Sequence, residues 1–351
     1  MPTPTIPDGE LFFNATTYTG NGGTLTVTNG VAGQSFQPDF VWVKRRNGVS
    51  DHYLSNSIGG ANKNLYSNRP NAEVTDNSGG YLSSFNSNGF TAITGSTNAN
   101  ETNSNNDTYV GWQWKAGGAA VTNTSGTISS QVSSNPTSGF SVVTYTGNTI
   151  NGATVGHGLL VGGVTTAPSM IIVKNRSTST LWAVYHASVG AASVAHLDDT
   201  AAFSASGDWN SVTPTPTLFT IGTSNRVNNA NNYVAYCWAP VAGYSAFGSY
   251  TGNGSTDGPF VYTGFRPRFV MFKKSSGVDD WEIIDTSRNT YNVNDEGLAP
   301  NSSAAEISNR GGDILSNGFK LRFANGTTNE SGQTYIYMAF AENPFKYANA
   351  R

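Results

Sequence analysis

One strand is written three times in this chain, and the repetition restricts the fold more than any other feature. The copies are Tyr109-Val110-Gly111-Trp112-Gln113-Trp114, Tyr233-Val234-Ala235-Tyr236-Cys237-Trp238 and Tyr335-Ile336-Tyr337-Met338-Ala339-Phe340. Side chains alternate across a strand, so Val110, Trp112 and Trp114 share one face. Val234, Tyr236 and Trp238 repeat that face, as do Ile336, Met338 and Phe340. The other face carries Tyr followed by small or variable residues, the pattern of a half-buried sandwich strand. No helix would bring these residues to one side.

Upstream of each copy the same words recur in the same order. Thr17-Tyr18-Thr19-Gly20-Asn21 returns as Thr144-Tyr145-Thr146-Gly147-Asn148 and as Ser249-Tyr250-Thr251-Gly252-Asn253. Tyr-Thr suits a strand end and Gly-Asn a turn that tolerates positive φ. A proline-led apolar strand ending in lysine follows each time: Pro38 to Lys44, Pro168 to Lys174 and Pro267 to Lys273. Four consecutive apolar residues predict burial on both faces, hence a central strand, and proline is tolerated at its first position. Next come Leu181-Trp182-Ala183-Val184-Tyr185 and Trp281-Glu282-Ile283-Ile284-Asp285, with His52-Tyr53-Leu54 as a weaker match. Asn88-Gly89 and Asn317-Gly318 are hairpin signals ahead of two closing strands.

These spacings are far above solenoid periods, so the expectation is an all-β chain of three tandem, related antiparallel β-sandwich domains, jelly-roll or lectin-like. The boundaries are an extended Pro-rich arm over 1–10, a first sandwich over 11–116, a linker over 117–138, a second sandwich over 139–243 and a third over 244–351. The arm would dock on a neighbour or fray. Within the linker, Gly126-Thr127-Ile128 to Gln131-Val132 has the makings of an added strand.

Composition agrees. Charged residues are 12% against about 25% in an average domain, so the solvent faces of long helices are poorly supplied. A net charge of -3 argues against nucleic acid, which needs clustered Lys and Arg. Lys44-Arg45-Arg46 is expected as a solvated strand end, and the single cysteine, Cys237, as a small filler that rules out an internal disulfide. There is no signal-peptide pattern and no apolar run long enough for membrane insertion. The chain is therefore expected to be made in a cytoplasm.

Candidate chemistry is sparse. No Gly-x-Ser-x-Gly elbow, phosphate loop or dinucleotide fingerprint occurs. His186 and His196 lack a carboxylate at metal-ligand spacing, and the acids Asp198-Asp199 and Asp279-Asp280 are adjacent pairs whose side chains would diverge on a strand. A glycosidase needs two carboxylates facing each other across a cleft, and the three units share no such pair. The expectation is no catalytic residue, no metal and no cofactor. Asn-x-Ser/Thr triplets, as at Asn14, Asn100, Asn301 and Asn325, follow from the richness in those residues. Binding is better served, because amide, hydroxyl and aromatic loops on a rigid sandwich suit sugars. Asp208-Trp209-Asn210 is the best such loop, with Trp209 either a stacking ring or a residue folded over the sandwich edge. His157, between Gly156 and Gly158, is either reached by a ligand or a turn histidine.

Several segments resemble a repeat of tailed-bacteriophage virion proteins, often called tail-fibre proteins. They are Gly248-Ser249-Tyr250-Thr251-Gly252-Asn253-Gly254, Gly264-Phe265-Arg266-Pro267, Ile314 to Lys320, and Tyr335 to Arg351 with Ala339-Phe340-Ala341-Glu342-Asn343-Pro344-Phe345-Lys346-Tyr347. Gln37 to Lys44 and Val155 to Leu159 are similar to it as well. The resemblance implies a virion location and, as partners, other virion proteins and a host cell-surface glycan, with a homo-oligomer on the particle. It supplies no reaction. Heptads and a collagen-like shaft are missing, which favours a compact knob. The alternatives are a capsid decoration or head/tail adaptor protein and a glycan-degrading tail protein.

Overall fold

The computed structural model describes residues 6, 8–30, 34–75, 78–97 and 101–341. The C-terminal words after Ala341 and most of the Pro-rich arm lie outside the described residues. The protein is all-β, built from antiparallel sheets.

One strand order recurs three times. The opening strand Phe13–Thr19 pairs with the closing strand Thr108–Trp114, which pairs with the proline-led strand Phe40–Arg45, which pairs with Tyr53–Asn56. Phe140–Thr146, Asn232–Trp238, Met170–Asn175 and Ala183–His186 repeat that order. Ser245–Thr251, Thr334–Ala341, Pro267–Lys274 and Trp281–Asp285 repeat it again. The proline-led strand is central each time, as its apolar run predicts. His52-Tyr53-Leu54, the weak match in sequence, occupies the same place as its counterparts. The linker adds Ser130–Ser134 and Val121–Asn123 to the edge of the second main sheet. A smaller sheet covers one face of each main sheet: Thr24–Thr28, Gly89–Ile93 and Tyr81–Asn86 in the first unit, Ala153–Gly156 with Leu218–Ile221 in the second, and Phe260–Tyr262, Gly318–Leu321 and Gly312–Leu315 in the third.

The closing strand differs from expectation, being buried on both faces rather than one. Its Tyr-and-small face packs under the smaller sheet of its own unit: Tyr109 with Val41, Val43 and Phe90, and Tyr233, Ala235 and Cys237 with Val143 and Phe219. The large face turns the other way, into a core common to all three units. Trp112 and Trp114, Tyr236 and Trp238, and Met338 and Phe340 all belong to that core. Trp114 lies 6.2 Å from Trp238 and 5.8 Å from Phe340, ring centre to ring centre. Rings of this size bury more apolar surface than one small sandwich can enclose, and three units facing inward remove it from water together.

The joints between units form a closed ring. Lys174 Nζ donates to the carbonyl of Pro70 (2.8 Å), Lys273 Nζ to that of Thr200 (2.9 Å), and Lys44 Nζ to that of Ser303 (3.3 Å). The second unit thus holds the first, the third holds the second, and the first holds the third. The next strand repeats the pattern with ring N–H groups: Trp182 Nε1 donates to the Tyr66 carbonyl (2.9 Å) and Trp281 Nε1 to the His196 carbonyl (2.8 Å). His52 replaces tryptophan in the first unit. Its Nδ1 accepts from Trp42 Nε1 (2.8 Å), so Nε2 carries the proton and donates to the Ala299 carbonyl (3.0 Å). The backbone closes each joint, Glu73 N to Arg176 O, Phe203 N to Ser275 O and Glu306 N to Arg46 O. At two joints an ion pair joins in, Arg176 with Glu73 and Arg46 with Glu306, both at 2.7 Å. The third joint has Ser275 and Phe203 in those places.

Lys44 is therefore no solvated strand end. Its side chain is buried, and burial pushes the ammonium down to about 7, with Lys174 and Lys273 at about 8. The arm behaves similarly: Ile6 is buried in the common core, and Glu10 pairs with Arg268 of the third unit at 2.7 Å.

The repeated Tyr-Thr-Gly-Asn word has one structural cause. Tyr18 stacks on Tyr109, Tyr145 on Tyr233 and Tyr250 on Tyr335, at 5.1, 5.1 and 5.2 Å with 13° between planes in every case. Their hydroxyls donate to the carbonyls of Thr102, Val227 and Thr328, each at 2.7 Å. The residue after each carbonyl is a buried asparagine whose Oδ1 accepts from the turn: Asn103 from Asn21 N (2.9 Å), Asn228 from Asn148 N (2.8 Å), Asn329 from Asn253 N (2.9 Å). Gly20, Gly147 and Gly252 are not at positive φ. They are glycine because a Cβ would collide with the carbonyl oxygens of Ser104, Asn229 and Glu330. Close approach of two backbones sets these positions, and turn conformation does not.

Candidate functional site: a polar cleft in the second unit

The loop singled out in the sequence does border a cleft, but its tryptophan is not exposed there. Trp209 is buried, edge-on to Tyr185 at 5.9 Å and part of the second unit's own core. Of the two readings in the sequence, the folded-in tryptophan is the one realised. The apolar ring is drawn inward because the space beneath the loop is lined by Phe219, Ile221 and Val194.

With Trp209 folded inward, its two neighbours stand at the wall of a cleft. Asp208 and Asn210 line a cleft of about 490 Å³ with Asn151, Ser206, Thr223 and Arg226. Asp208 is itself buried and accepts a two-pronged bond from Arg226, Nε to Oδ2 at 2.8 Å and Nη2 to Oδ1 at 2.9 Å. A planar fork of this kind fixes both side chains and leaves the Nη1 amine outside the pair. The turn is rigid for further reasons. Gly222 N donates to the Asp208 carbonyl (2.8 Å), and a Cβ at Gly222 would collide with the Gly207 carbonyl oxygen. Asn210 and Ser211 hold φ of 49° and 54°, where asparagine is tolerated better than most residues. The result is a pre-organised wall of amides, hydroxyls and one guanidinium, able to donate and accept hydrogen bonds at fixed positions.

His157 is not in this cleft. It is buried, Nδ1 accepting from Leu159 N (3.1 Å) and Nε2 donating to the Thr215 carbonyl (3.0 Å). Burial pushes the imidazole down to about 4, so it is neutral at pH 7. Its flanking glycines serve the fold: a Cβ at Gly156 would collide with Asn123, and Gly158 has φ of 61°. The histidine is thus a satisfied turn residue.

Arg226, Asn151, Ser206 and Thr223 are cleft residues the sequence did not mark. Arg226 stands 18 positions from Asp208, and no local spacing joins them. Among the described residues no group of three or more His, Cys, Asp and Glu side chains could hold a metal ion. Cys237 is buried, and burial pushes its thiol up.

No curated protein and no solved structure matches this chain. A family described as a domain of unknown function, DUF7483, matches residues 8–344, and so takes in the three main sheets and the cleft together. The chain belongs to this DUF7483 family.

Proposed function

We propose that this chain is a non-enzymatic surface component of a bacteriophage virion, tail-fibre or knob-like, that attaches to the host by binding cell-surface glycan. The observation that carries the binding role is the cleft at Asp208 and Asn210, where amides, hydroxyls and a fixed guanidinium converge on a space of about 490 Å³. Sugars are recognised by such planar, pre-positioned polar groups. The virion setting rests on the resemblance of the chain's repeated words to those of phage virion proteins. If several chains sit together on the particle, a weak site per chain gains avidity on a cell surface.

The test uses purified full-length chain with host cells and isolated envelope polysaccharide. Retention on cells with no shortening of the polysaccharide supports attachment, and Asn151→Ala or Asn210→Gly, glycine being suited to the positive φ there, should weaken retention without lowering the melting temperature. Release of shortened sugars would replace this reading with glycan degradation.

A second reading, capsid decoration or head/tail adaptor, is favoured by the closed ring of three like units. One chain offers three similar surfaces around a centre, a match for a site where three virion subunits meet. Labelling the chain in images of intact particles separates the two readings: a tail-tip position favours attachment, and positions on the capsid favour decoration.

A further inference from the structure

The smaller sheet of the third unit carries two aromatic side chains that its counterparts lack. In every unit a valine of this sheet faces inward opposite a phenylalanine: Val27 with Phe90, Val155 with Phe219, Val261 with Phe319. The residues on either side of that valine face outward. They are Thr26 and Thr28 in the first unit and Phe260 and Tyr262 in the third, whereas in the second Thr154 is half-buried and Gly156 is covered by Asn123. Phe260 is 45% exposed and Tyr262 55%, so neither is there to fill the core. Most other large aromatics among the described residues are buried or half-buried, Tyr291 at 85% exposure being an exception, and Phe260 and Tyr262 stand out as two exposed rings side by side on one sheet face.

The surroundings hold the pair on the outer face of the sheet. Tyr262 lies opposite Gly318 across the ladder, and a Cβ on Gly318 would come within 3.0 Å of the Phe260 ring. The Val261 carbonyl oxygen fixes this position as glycine, as that of Val27 does at Gly89, and the bare position leaves room for the Phe260 ring beside the neighbouring strand. At the border, Lys320, opposite Phe260, donates to Asp257 Oδ1 and to the Gly258 carbonyl, both at 2.9 Å. Asp257 is 83% exposed.

We propose that Phe260 and Tyr262 form a stacking platform for a hexopyranose ring, with the Asp257–Lys320 pair at its border taking the sugar's hydroxyl groups. The C–H face of a pyranose is apolar and the ring edge is polar. An aromatic plane beside a fixed carboxylate and ammonium complements both parts. The strand is also at a sheet edge, where a second copy of the chain could pair. Charged side chains next to an edge oppose such pairing, and Lys320, Arg322 and Asp257 supply them. This platform is on a different unit from the cleft and stands or falls separately from it.

The experiment is saturation-transfer NMR on the full chain with the methyl glycosides of glucose, galactose, mannose and N-acetylglucosamine as probes. Saturation of the C–H protons of at least one probe is expected. The double variant Phe260→Thr/Tyr262→Thr should weaken that binding by about tenfold or more. Threonine occupies both equivalent positions in the first unit, so the variant should melt like the parent. Tyr262→Phe should retain binding. Asn210→Gly should remove no more than the cleft's share of the signal and leave intact the share that the double variant loses. The proposal is overturned if no probe binds, if the double variant binds like the parent, or if Asn210→Gly removes the whole signal. It is equally overturned if the double variant's sole effect is to abolish self-association of the chain.

Discussion

Lys44 Nζ donates to the carbonyl of Ser303 across a sequence separation of 259 residues, and this contact closes the ring. Its counterparts at Lys174 and Lys273 make the other two joints. A buried ammonium costs more than a neutral amine, and all three lysines are held below their ordinary value by burial.

Stability should therefore rise with pH between about 8 and 9. In that interval the unfolded lysines, titrating near about 10.4, still bind protons that the folded ones, at about 7, 8 and 8, have lost. More protons on the unfolded chain means that stability increases with pH. The Cys237 thiol and the buried tyrosines, all pushed up by burial, oppose this, but the thiol is one group against three and the unfolded tyrosines, titrating at about 10, release few protons below pH 9. Thermal melts at pH 8 and pH 9 measure the slope, and replacing all three lysines with methionine should remove the rise. A melting temperature independent of pH would refute the account.

Glu282 should act with the opposite sign. It is buried, and burial pushes its carboxyl up to about 8 despite Arg310. Between about 4.5 and 8 the folded state keeps a proton that the unfolded state has released, so this residue lowers stability as pH rises. Comparing Glu282→Gln with the parent at pH 5 and pH 7.5 isolates the effect. The variant should lose less stability over that interval.

Trp114 touches all three units, so Trp114→Ala should cost about 3–5 kcal/mol and act on the whole chain. Calorimetry is expected to show one transition moved to lower temperature. Independent units would instead leave two transitions in place and move one.

Gly20→Ala, Gly147→Ala and Gly252→Ala should each destabilise more than Gly118→Ala. Gly118 has φ of 76° with open space around its Cβ position, and the cost there is only local strain, about 1 kcal/mol. At the other three a backbone carbonyl stands in the way. Urea titration of the four variants ranks them, and equal midpoints would count against the close-approach explanation.

Tyr18→Phe keeps the stack on Tyr109 and deletes the bond to the Thr102 carbonyl. The expected loss is about 1 kcal/mol, with the same value at Tyr145 and Tyr250 if the three motifs are equivalent. Denaturant midpoints of the three single variants test it.

The sequence alone determined the all-β class, the central place of the proline-led strands and the equivalence of Tyr18, Tyr145 and Tyr250. Each follows from local alternation or from words repeated in order, and both can be read without knowing what lies across the chain. Tertiary structure decided which way each face points. Alternation shows that Trp112 and Trp114 share a side. It does not show that the side meets Trp238 and Phe340 instead of the unit's own smaller sheet. The lysines illustrate the same limit. A charge ending an apolar run reads as solvated, until carbonyls from a segment far away in sequence arrive to accept its hydrogen bonds. The cleft was half legible, since Asp208 and Asn210 were marked by their residue types. Trp209 was drawn inward by apolar partners ten or more residues distant, and Arg226 reached Asp208 only through the fold. Burial and pairing of this kind depend on contacts between remote segments, and a linear pattern carries no record of them.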